Sequence, residues 1–345
     1  MPSDDLSGKN LFSENLFGEA ERQLTICNSC RYCAGYCPVW PALELRTALE
    51  VQDITHLANL CHDCGDCLSA CMYAPPHEFA VDPPSVFTEV RQDTYRRYIW
   101  PHRTPGGFAT GVAFTVVGLV LALLSWLFTG RPFTVADTPG DPYEILPHTP
   151  LLIAVGVPSL WAAAMFGWAT LRYWRDVHGP LADLFRLRVW LTTFTQAVQL
   201  RHMTGGDAGC EVPGRRGFHV VLLYGFGLCV VSTTAAAFLQ NVLGAHPPYP
   251  WLSVPVISGS VGGIAMIVGG TGLWLRSGGS GFLWALIVLA ASGMLTLLLR
   301  ETVAFGPVLL LHVAAVVVAF GIAPYTKFVH GIFRTLSIHH DNLER

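Results

Sequence analysis

Eight of the ten cysteines in this 345-residue chain lie close together, at spacings typical of iron–sulfur ligands. The pattern C-x2-C-x2-C-x3-C occurs twice. The first copy is Cys27, Cys30, Cys33 and Cys37, and the second is Cys61, Cys64, Cys67 and Cys71. Three thiolates at this spacing wrap three corners of a cubic cluster, and in two-cluster ferredoxins the fourth cysteine of each run ligates the other cluster. Such crowded cysteines indicate metal ligands in a reducing compartment.

The spacing therefore predicts two [4Fe-4S] clusters that exchange their fourth ligands. One cluster is assigned to Cys27, Cys30, Cys33 and Cys71, and the other to Cys61, Cys64, Cys67 and Cys37. Structural zinc is the alternative, since four-cysteine zinc sites also use C-x2-C pairs. A zinc site needs only two such pairs, and the further cysteines in each run are superfluous to it. Iron–sulfur clusters are favoured for this reason.

A helical segment must position the two cysteine sets. Residues 41–60, which lie between them, carry apolar residues at mostly helical spacing and little β-branched alternation. This part of the chain resembles the α-helical ferredoxin domain of fumarate reductase iron–sulfur subunits and heterodisulfide-reductase-type proteins. The nearby His56, His62 and His77 are interpreted as surface groups or neighbours of the ligands, because eight thiolates already complete both clusters.

The rest of the chain predicts a membrane domain. Hydrophobic residues make up 52% of the sequence and charged residues 13%, against about 25% charged in an average soluble domain. Six runs without Asp, Glu, Lys or Arg are each long enough for a helix to cross a hydrocarbon core of about 30 Å. They are residues 108–128, 150–171, 218–243, 252–275, 280–299 and 305–326. The formal net charge of −3 offers no basic surface to a nucleic acid, so membrane lipid is the expected environment.

Lysine and arginine residues indicate the orientation of these spans, because they are retained in short cytoplasmic loops. If the N-terminal region is inside, only Arg131 and Arg300 of the 21 basic residues fall in outer loops. Both termini are therefore expected in the cytoplasm. This divides the chain into a cytoplasmic two-cluster domain (1–107), a six-span membrane domain (108–330) and a cytoplasmic tail (331–345).

One inner loop has the pattern of an amphipathic helix. Residues 181–203 carry apolar residues at helical spacing beside Arg186, Arg188 and Arg201. Two placements are open for this helix. It is expected either on the inner membrane surface or packed against the N-terminal domain.

Histidines in and near the spans indicate a haem site, since ionisable residues within a membrane are usually functional. His219 begins the third span, and His330 lies just past the end of the sixth. The topology places both near the inner surface on antiparallel helices, where they can ligate the iron of one b haem from both sides. Gly225 and Gly227 are interpreted as leaving room for the macrocycle. For either histidine alone, a hydrogen-bonded core residue is the favoured alternative.

A third histidine, His312, lies within the sixth span. Eighteen residues separate His312 from His330, which places both on one face if the helix is continuous. A second haem or a quinone contact at His312 is left open, and Cys229 is one candidate partner. Covalently attached haem is not expected, because the sequence contains no C-x2-C-H motif.

With these motifs in this order, the whole chain resembles the tricarballylate/citrate-utilisation protein B family. The resemblance implies an electron carrier of the bacterial inner membrane. Such a carrier reoxidises the FADH2 of a separate dehydrogenase of the protein A type and passes electrons through iron–sulfur clusters and b haem to quinone. The histidine-bearing helices also resemble nitrate reductase gamma-type haem anchors. His312, His330 and His219 match three of the four histidines of that type, and Cys229 stands at the position of the fourth.

The sequence as a whole predicts a mainly α protein that acts as the electron-transfer subunit of an oxidoreductase. No flavin site is indicated, because the GGTG sequence at 269–272 lies inside a span and is interpreted as close helix packing. One alternative is the membrane subunit of a heterodisulfide-reductase-like complex. Another is a transporter with a metal-binding domain, which is disfavoured because no span carries a charged residue for a substrate or coupling ion.

Overall fold

The protein is built from α-helices, which confirms the predicted fold class. The computed structural model describes residues 4–102, 105–130, 137–200, 215–276 and 279–345. These residues form thirteen α-helices and no strand. In chain order the helices are α1 (Asp4–Cys30), α2 (Val39–Glu44), α3 (Val51–Leu60), α4 (Asp66–Ser69), α5 (Pro83–Tyr98), α6 (Gly107–Thr129), α7 (His148–Asp176), α8 (Leu187–Val198), α9 (Arg215–Asn241), α10 (Val254–Arg276), α11 (Gly281–Leu298), α12 (Phe305–Ile322) and α13 (Val329–Glu344).

The helices belong to two compact units. The cysteine unit comprises the described residues of 1–104, 165–213 and 327–345, and the span unit comprises those of 105–164 and 214–326. Helix α7 contributes residues to both units.

The cysteine unit has an apolar core to which distant parts of the chain contribute. Leu24 of α1, Leu43 of α2, Leu57 of α3 and Val90 of α5 are each at most 1% exposed. Ile338 of α13 joins them and is 3% exposed. The residues from 331 onward, predicted as a cytoplasmic tail, thus include a helix that completes this core.

Capping residues stabilise the starts of the two helices that flank the second cysteine set. Helix α3 begins with a capping box in which Glu50 and Asp53 each accept a hydrogen bond from the backbone of the other. Helix α5 begins at Pro83, and the Asp82 side chain before it accepts a 3.1 Å hydrogen bond from the Ser85 backbone nitrogen. The second cysteine set therefore lies between two helices with firmly defined starts.

Six helices are long and apolar enough to cross a membrane, and they coincide with the six predicted runs. They are α6, α7, α9, α10, α11, and α12 with the turn that follows it. Large apolar side chains such as Phe108 and Leu160 are 88% and 72% exposed on these helices. Surfaces of this kind are compatible with a multi-pass membrane protein, in which lipid covers them.

Glycines allow α9 and α10 to pack with their backbones in close contact. A Cβ at Gly225 would lie 2.8 Å from the Met266 backbone nitrogen, and one at Gly269 would lie 2.6 Å from the Leu222 backbone nitrogen. The interpretation of the GGTG sequence as close helix packing is confirmed. The interpretation of Gly225 as room for a macrocycle is wrong, because α10 fills the space beside it. No heavy atom lies within 4 Å of a Cβ placed at Gly227.

The helix that carries His312 does not continue to His330. Helix α12 ends at Ile322, a 3-10 turn covers Ala323–Tyr325, and α13 begins only at Val329. Pro324 lies in the turn, where it has no N–H to donate and its ring clashes with a continuing helix. The condition that would place both histidines on one helix face is therefore not met, and the two histidines belong to different helices and different units.

Helix α8 is shorter than the predicted amphipathic helix 181–203. Residues 181–185 form a separate 3-10 turn, and residues 201–203, which include Arg201, lie outside the described residues. One face of α8 packs on α13, where Thr193 is buried and the Asn342 side chain donates to its hydroxyl at 3.1 Å. Leu187, Leu191 and Phe194 are exposed at helical spacing on α8. The helix thus packs within the cysteine unit and still presents an apolar surface.

The packing of α9 on α10 predicts opposite effects for two neighbouring glycines. Gly225→Ala should destabilise the protein by about 1–3 kcal/mol, because the new methyl group overpacks against the α10 backbone. Gly227→Ala should be neutral or stabilising by up to about 1 kcal/mol, since alanine favours a helix and meets no atom there. Thermal unfolding in detergent checks the pair, and equal effects would contradict the close approach at Gly225.

Candidate iron–sulfur site

Helix ends position the cysteines. Cys27 and Cys30 lie in the last turn of α1, Cys61 directly follows α3, and Cys67 lies on the short helix α4. Because these cysteines lie at or next to helix ends, their side chains can converge on one site while the backbone hydrogen bonds within each helix stay intact. The apolar core described above packs directly against several of these cysteines, including Cys37.

The two cysteine copies also share a backbone turn. Arg31 and Gly65 each follow the second cysteine of their copy, and both have a left-handed backbone, with φ of 55° and 84°. The Arg31 carbonyl accepts a 3.1 Å hydrogen bond from the Ala34 nitrogen, and the Gly65 carbonyl accepts the equivalent 3.0 Å bond from the Leu68 nitrogen. An arginine adopts this conformation at an energetic cost, and such strain is concentrated at functional sites. The sequence signals the turn only in the second copy, where the residue is glycine.

The first three cysteines of the first copy lie with the last cysteine of the second copy. Cys27, Cys30, Cys33 and Cys71 line one cavity. Burial raises the pKa of Cys27 to about 12, and the nearby thiols of Cys71, Cys33 and Cys30 raise it further in that order. Burial likewise raises the pKa of Cys33 to about 11, with Cys71 as the strongest neighbour. We call these four residues the first thiol group.

The remaining four cysteines form a second thiol group, which consists of Cys37, Cys61, Cys64 and Cys67. Burial raises the pKa of Cys37 to about 12, and the Cys61 and Cys64 thiols add to the effect. Burial also raises the pKa of Cys67, with Cys61 and Cys37 as its strongest neighbours. The two groups are adjacent, since the Cys33 sulfur lies 3.7 Å from the Cys67 carbonyl oxygen.

The donor chemistry of these groups fits iron–sulfur clusters. Each group offers four thiols, the ligand number of a cubic cluster. Buried thiols whose pKa values are raised hold their protons, and a coordinated metal ion removes them by supplying the missing positive charge. The structure thus brings together both sets in the exchanged arrangement described for two-cluster ferredoxins.

A partly buried arginine of the last helix contacts the second copy of the cysteine pattern. Arg334 of α13 donates 3.2 Å hydrogen bonds to the carbonyls of Leu60 and Cys61, and it also contacts the His62 ring. Burial lowers the pKa of Arg334 to about 10, while the nearby Cys61 opposes this shift. Arg91 of α5 donates to the Ala58 carbonyl at 2.8 Å. The guanidiniums of Arg334 and Arg91 thus donate hydrogen bonds to carbonyls at the C-terminal end of α3, where the helix dipole places partial negative charge.

The structure narrows the expectation for one of the three histidines near the cysteines. His56 is 1% exposed, so of the two placements expected for these histidines the surface is excluded for His56. Burial on nearly all sides of the second half of α3 explains this placement. His62 contacts Arg334, and the His77 Nδ1 accepts a 3.1 Å hydrogen bond from the Phe79 backbone nitrogen.

The predicted haem histidines lie on three different helices. His219 is in the second turn of α9 and is half-buried. His312 of α12 packs against α11, where its Nδ1 lies 2.9 Å from the Ser292 hydroxyl oxygen. His330 is in the first turn of α13, and its Nδ1 hydrogen-bonds to the Lys327 carbonyl. Donation from Nδ1 to a carbonyl leaves the lone pair on Nε2, the arrangement common in metal-binding histidines.

Cys229, the candidate partner of His312, takes part in helix packing instead. Its sulfur lies 3.7 Å from the Met266 sulfur on α10. A Cβ at Gly262 of α10 would lie 3.0 Å from the same sulfur atom. Cys229 therefore contacts α10, whereas His312 contacts Ser292 of α11.

Comparisons with known proteins agree with the cysteine and helix pattern. A family model described as citrate utilization protein B matches residues 107–345, and a model of the Fer4-like domain of that protein matches residues 20–97. The chain belongs to the citrate utilization protein B family. A citrate utilization protein B from Escherichia coli is 35% identical over an alignment that covers 93% of this chain and 90% of the relative. No solved structure matches the chain significantly. The predicted family is confirmed, and the Fer4-like match contains both thiol groups.

The contact of Arg334 with the end of α3 predicts a large effect on stability. Arg334→Gln should lower the free energy of unfolding by about 1–3 kcal/mol, because it removes the guanidinium donor to the Leu60 carbonyl and one of the two donors to the Cys61 carbonyl, which Arg91 also contacts. Arg97→Gln is the control, since its ion pair with Asp93 is partly exposed and should contribute less than about 1 kcal/mol. Thermal unfolding of the purified holoprotein, followed by loss of visible absorbance, measures both. Equal losses in the two variants would show that Arg334 does not secure α3.

Proposed function

We propose that this protein is a membrane-bound electron-transfer subunit that reoxidises the FADH2 of a partner dehydrogenase and delivers the electrons to quinone. Membership in the citrate utilization protein B family, with its Fer4-like domain, gives the coarser role of iron–sulfur electron transfer in citrate utilization. The observation that carries the proposal is the presence of two four-thiol groups in a chain with six membrane-length apolar helices. The partner is proposed to act on citrate, tricarballylate or a similar carboxylate.

We assign one [4Fe-4S] cluster to the first thiol group and one to the second. The convergence of Cys71 with Cys27 and Cys33 supports this exchange of the fourth ligands. The clusters supply one-electron transfer when bound. The chain itself contributes an apolar core that excludes water. It also places the Arg334 guanidinium beside Cys61, and this positive charge favours an added electron on the cluster assigned to the second thiol group.

Helix α13 supports the next step of the route, from the second thiol group toward haem. His330 precedes Arg334 by four residues, which is about one helical turn or 6 Å along the axis. Arg334 in turn hydrogen-bonds to the Cys61 carbonyl. The proposed haem ligand is thus connected through one helical turn and one hydrogen bond to a proposed cluster ligand.

We propose His219 and His330 as the two axial ligands of a b haem at the inner side of the membrane. His312 is proposed for a second haem or for a quinone contact, with Ser292 fixing the orientation of its ring. Haem and clusters carry single electrons, so the two-electron oxidation of the carboxylate belongs to the FAD-containing partner of the protein A type.

We place the protein in the bacterial inner membrane with both termini in the cytoplasm. The distribution of lysine and arginine supports this orientation. The packing of α1 and α13 in one unit also supports it, because both ends of the chain then lie on the same side of the membrane. An even number of spans agrees with this placement.

The exchanged ligand scheme predicts which cysteine variants resemble each other. The purified protein should contain about eight non-haem irons, four for each cubic cluster. Cys71→Ser should alter the same electron paramagnetic resonance signal of the dithionite-reduced protein as Cys27→Ser, and Cys37→Ser should alter the same signal as Cys61→Ser. Iron and sulfide analysis accompanies the spectra. Zinc without labile sulfide in the purified protein would refute electron transfer. If Cys37→Ser altered the same signal as Cys27→Ser, only the exchange of the fourth ligands between the two clusters would be refuted.

The haem assignment predicts that His219→Ala and His330→Ala each abolish the b-haem absorption of the reduced protein. Non-haem iron should remain at its original level in both variants, because neither residue belongs to a thiol group. His246→Ala is the matched control, since this histidine is exposed in the loop after α9 and should leave the spectrum unchanged. Full haem in either of the first two variants would exclude that residue as an axial ligand.

A further inference from the structure

Three potential metal ligands meet in the cysteine unit without involving any cysteine. They are His56 of α3 together with His340 and Glu344 of α13, and their ligand atoms all lie within 4.8 Å of one another. Glu344 Oε1 lies 3.6 Å from His340 Nδ1, and Glu344 Oε2 lies 4.0 Å from His56 Nε2. His340 and Glu344 are four residues apart, so one face of α13 presents both.

The His56 ring is buried in a way that a bound cation would explain. Its exposed fraction is 1%, and neither ring nitrogen has a hydrogen-bond partner among the described residues. The buried Nδ1 of His340 also lacks a hydrogen bond there. Buried polar atoms without partners are rare, because each loses its hydrogen bonds to water on folding and gains none in return. Burial also lowers the pKa of His56 well below its usual range, which keeps the ring neutral and its lone pair available.

The charges around the cluster leave room for a divalent cation. Arg46 forms a 3.1 Å ion pair with Asp53 and a 2.7 Å ion pair with Glu344, so one positive charge faces two negative charges. Burial opposes ionisation of Glu344, but the nearby His340 ring and the hydrogen-bonded Arg46 guanidinium lower its pKa to about 2. Glu344 is therefore a carboxylate at neutral pH. Its ion pair with Arg46 orients it, as hydrogen-bond partners commonly orient the residues that ligate a metal ion.

We propose that His56, His340 and Glu344 bind a zinc ion, with water as the fourth ligand. Two imidazoles and one carboxylate form a common zinc ligand set. Zinc–ligand bonds of about 2.0–2.1 Å place tetrahedral ligands about 3.4 Å apart, so ligand atoms that lie within 4.8 Å of one another need to close by roughly 1.4 Å or less on binding. Glu344 lies in the last turn of α13, where small rotations can supply this movement. The ion links α13 to α3 and is separate from the proposed electron route.

Zinc binding by the holoprotein tests the site. The purified protein is equilibrated with zinc chloride and desalted, and zinc, iron and labile sulfide are measured per chain. Wild type should retain about one zinc at unchanged iron, whereas His340→Ala and Glu344→Gln should weaken zinc binding by at least about tenfold. His102→Ala is the control, because His102 is exposed in the cysteine unit and lies outside the cluster. Zinc should raise the unfolding temperature of wild type and of the control but not of the other two variants.

Two outcomes would overturn the zinc site. One is equal zinc retention by wild type, His340→Ala and Glu344→Gln at equal iron content. The other is zinc uptake by wild type only in proportion to lost iron, which would place the zinc at the cysteines. Glu344→Gln keeps the size of the side chain, so the test remains decisive if His340→Ala fails to fold. Iron and haem measured on the same samples report on the proposed electron transfer independently.

Discussion

The Arg334 guanidinium stabilises the cysteine unit at the C-terminal end of α3. Helix α3 ends next to Cys61, where its last carbonyls face the protein interior and its dipole adds negative charge. Arg334 supplies hydrogen bonds and positive charge at this point. The position of α13 depends on this contact, and so do the residues that α13 carries, from His330 in its first turn to Glu344 in its last. Removing the guanidinium would take away the donor to the carbonyl of the buried Leu60, a loss that a protein of ordinary stability tolerates poorly.

Positive charge recurs wherever the cysteine unit concentrates negative charge. Arg91 and Arg334 face the end of α3 and the second thiol group, and Arg46 lies between Asp53 and Glu344. All three guanidiniums are at least partly buried, where charges interact more strongly than at the surface. Clusters ligated by thiolates carry negative charge, so the two clusters proposed for this unit would need such cations close by.

The local features of this protein were predictable, and those that depend on distant contacts were not. Cysteine spacing and uninterrupted apolar runs lie within short segments, so the two groups of thiols, the six long helices and the family followed from the sequence. Arg334 and His56 owe their roles to contacts between α3 and α13, and nothing in a single sequence reports such contacts. Pro324 was visible in the sequence and marks the break before α13, but the regular spacing of His312 and His330 concealed its effect.

The core of the cysteine unit takes residues from both ends of the chain, and this has a consequence for biosynthesis. Leu24 and Leu57 leave the ribosome early, whereas Ile338, which packs in the same core, leaves it last. Because the six long apolar helices are synthesised in between, the packing of the N-terminal region is completed only after these helices have left the ribosome. The proposed clusters would therefore be enclosed by the finished core late in the synthesis of the chain.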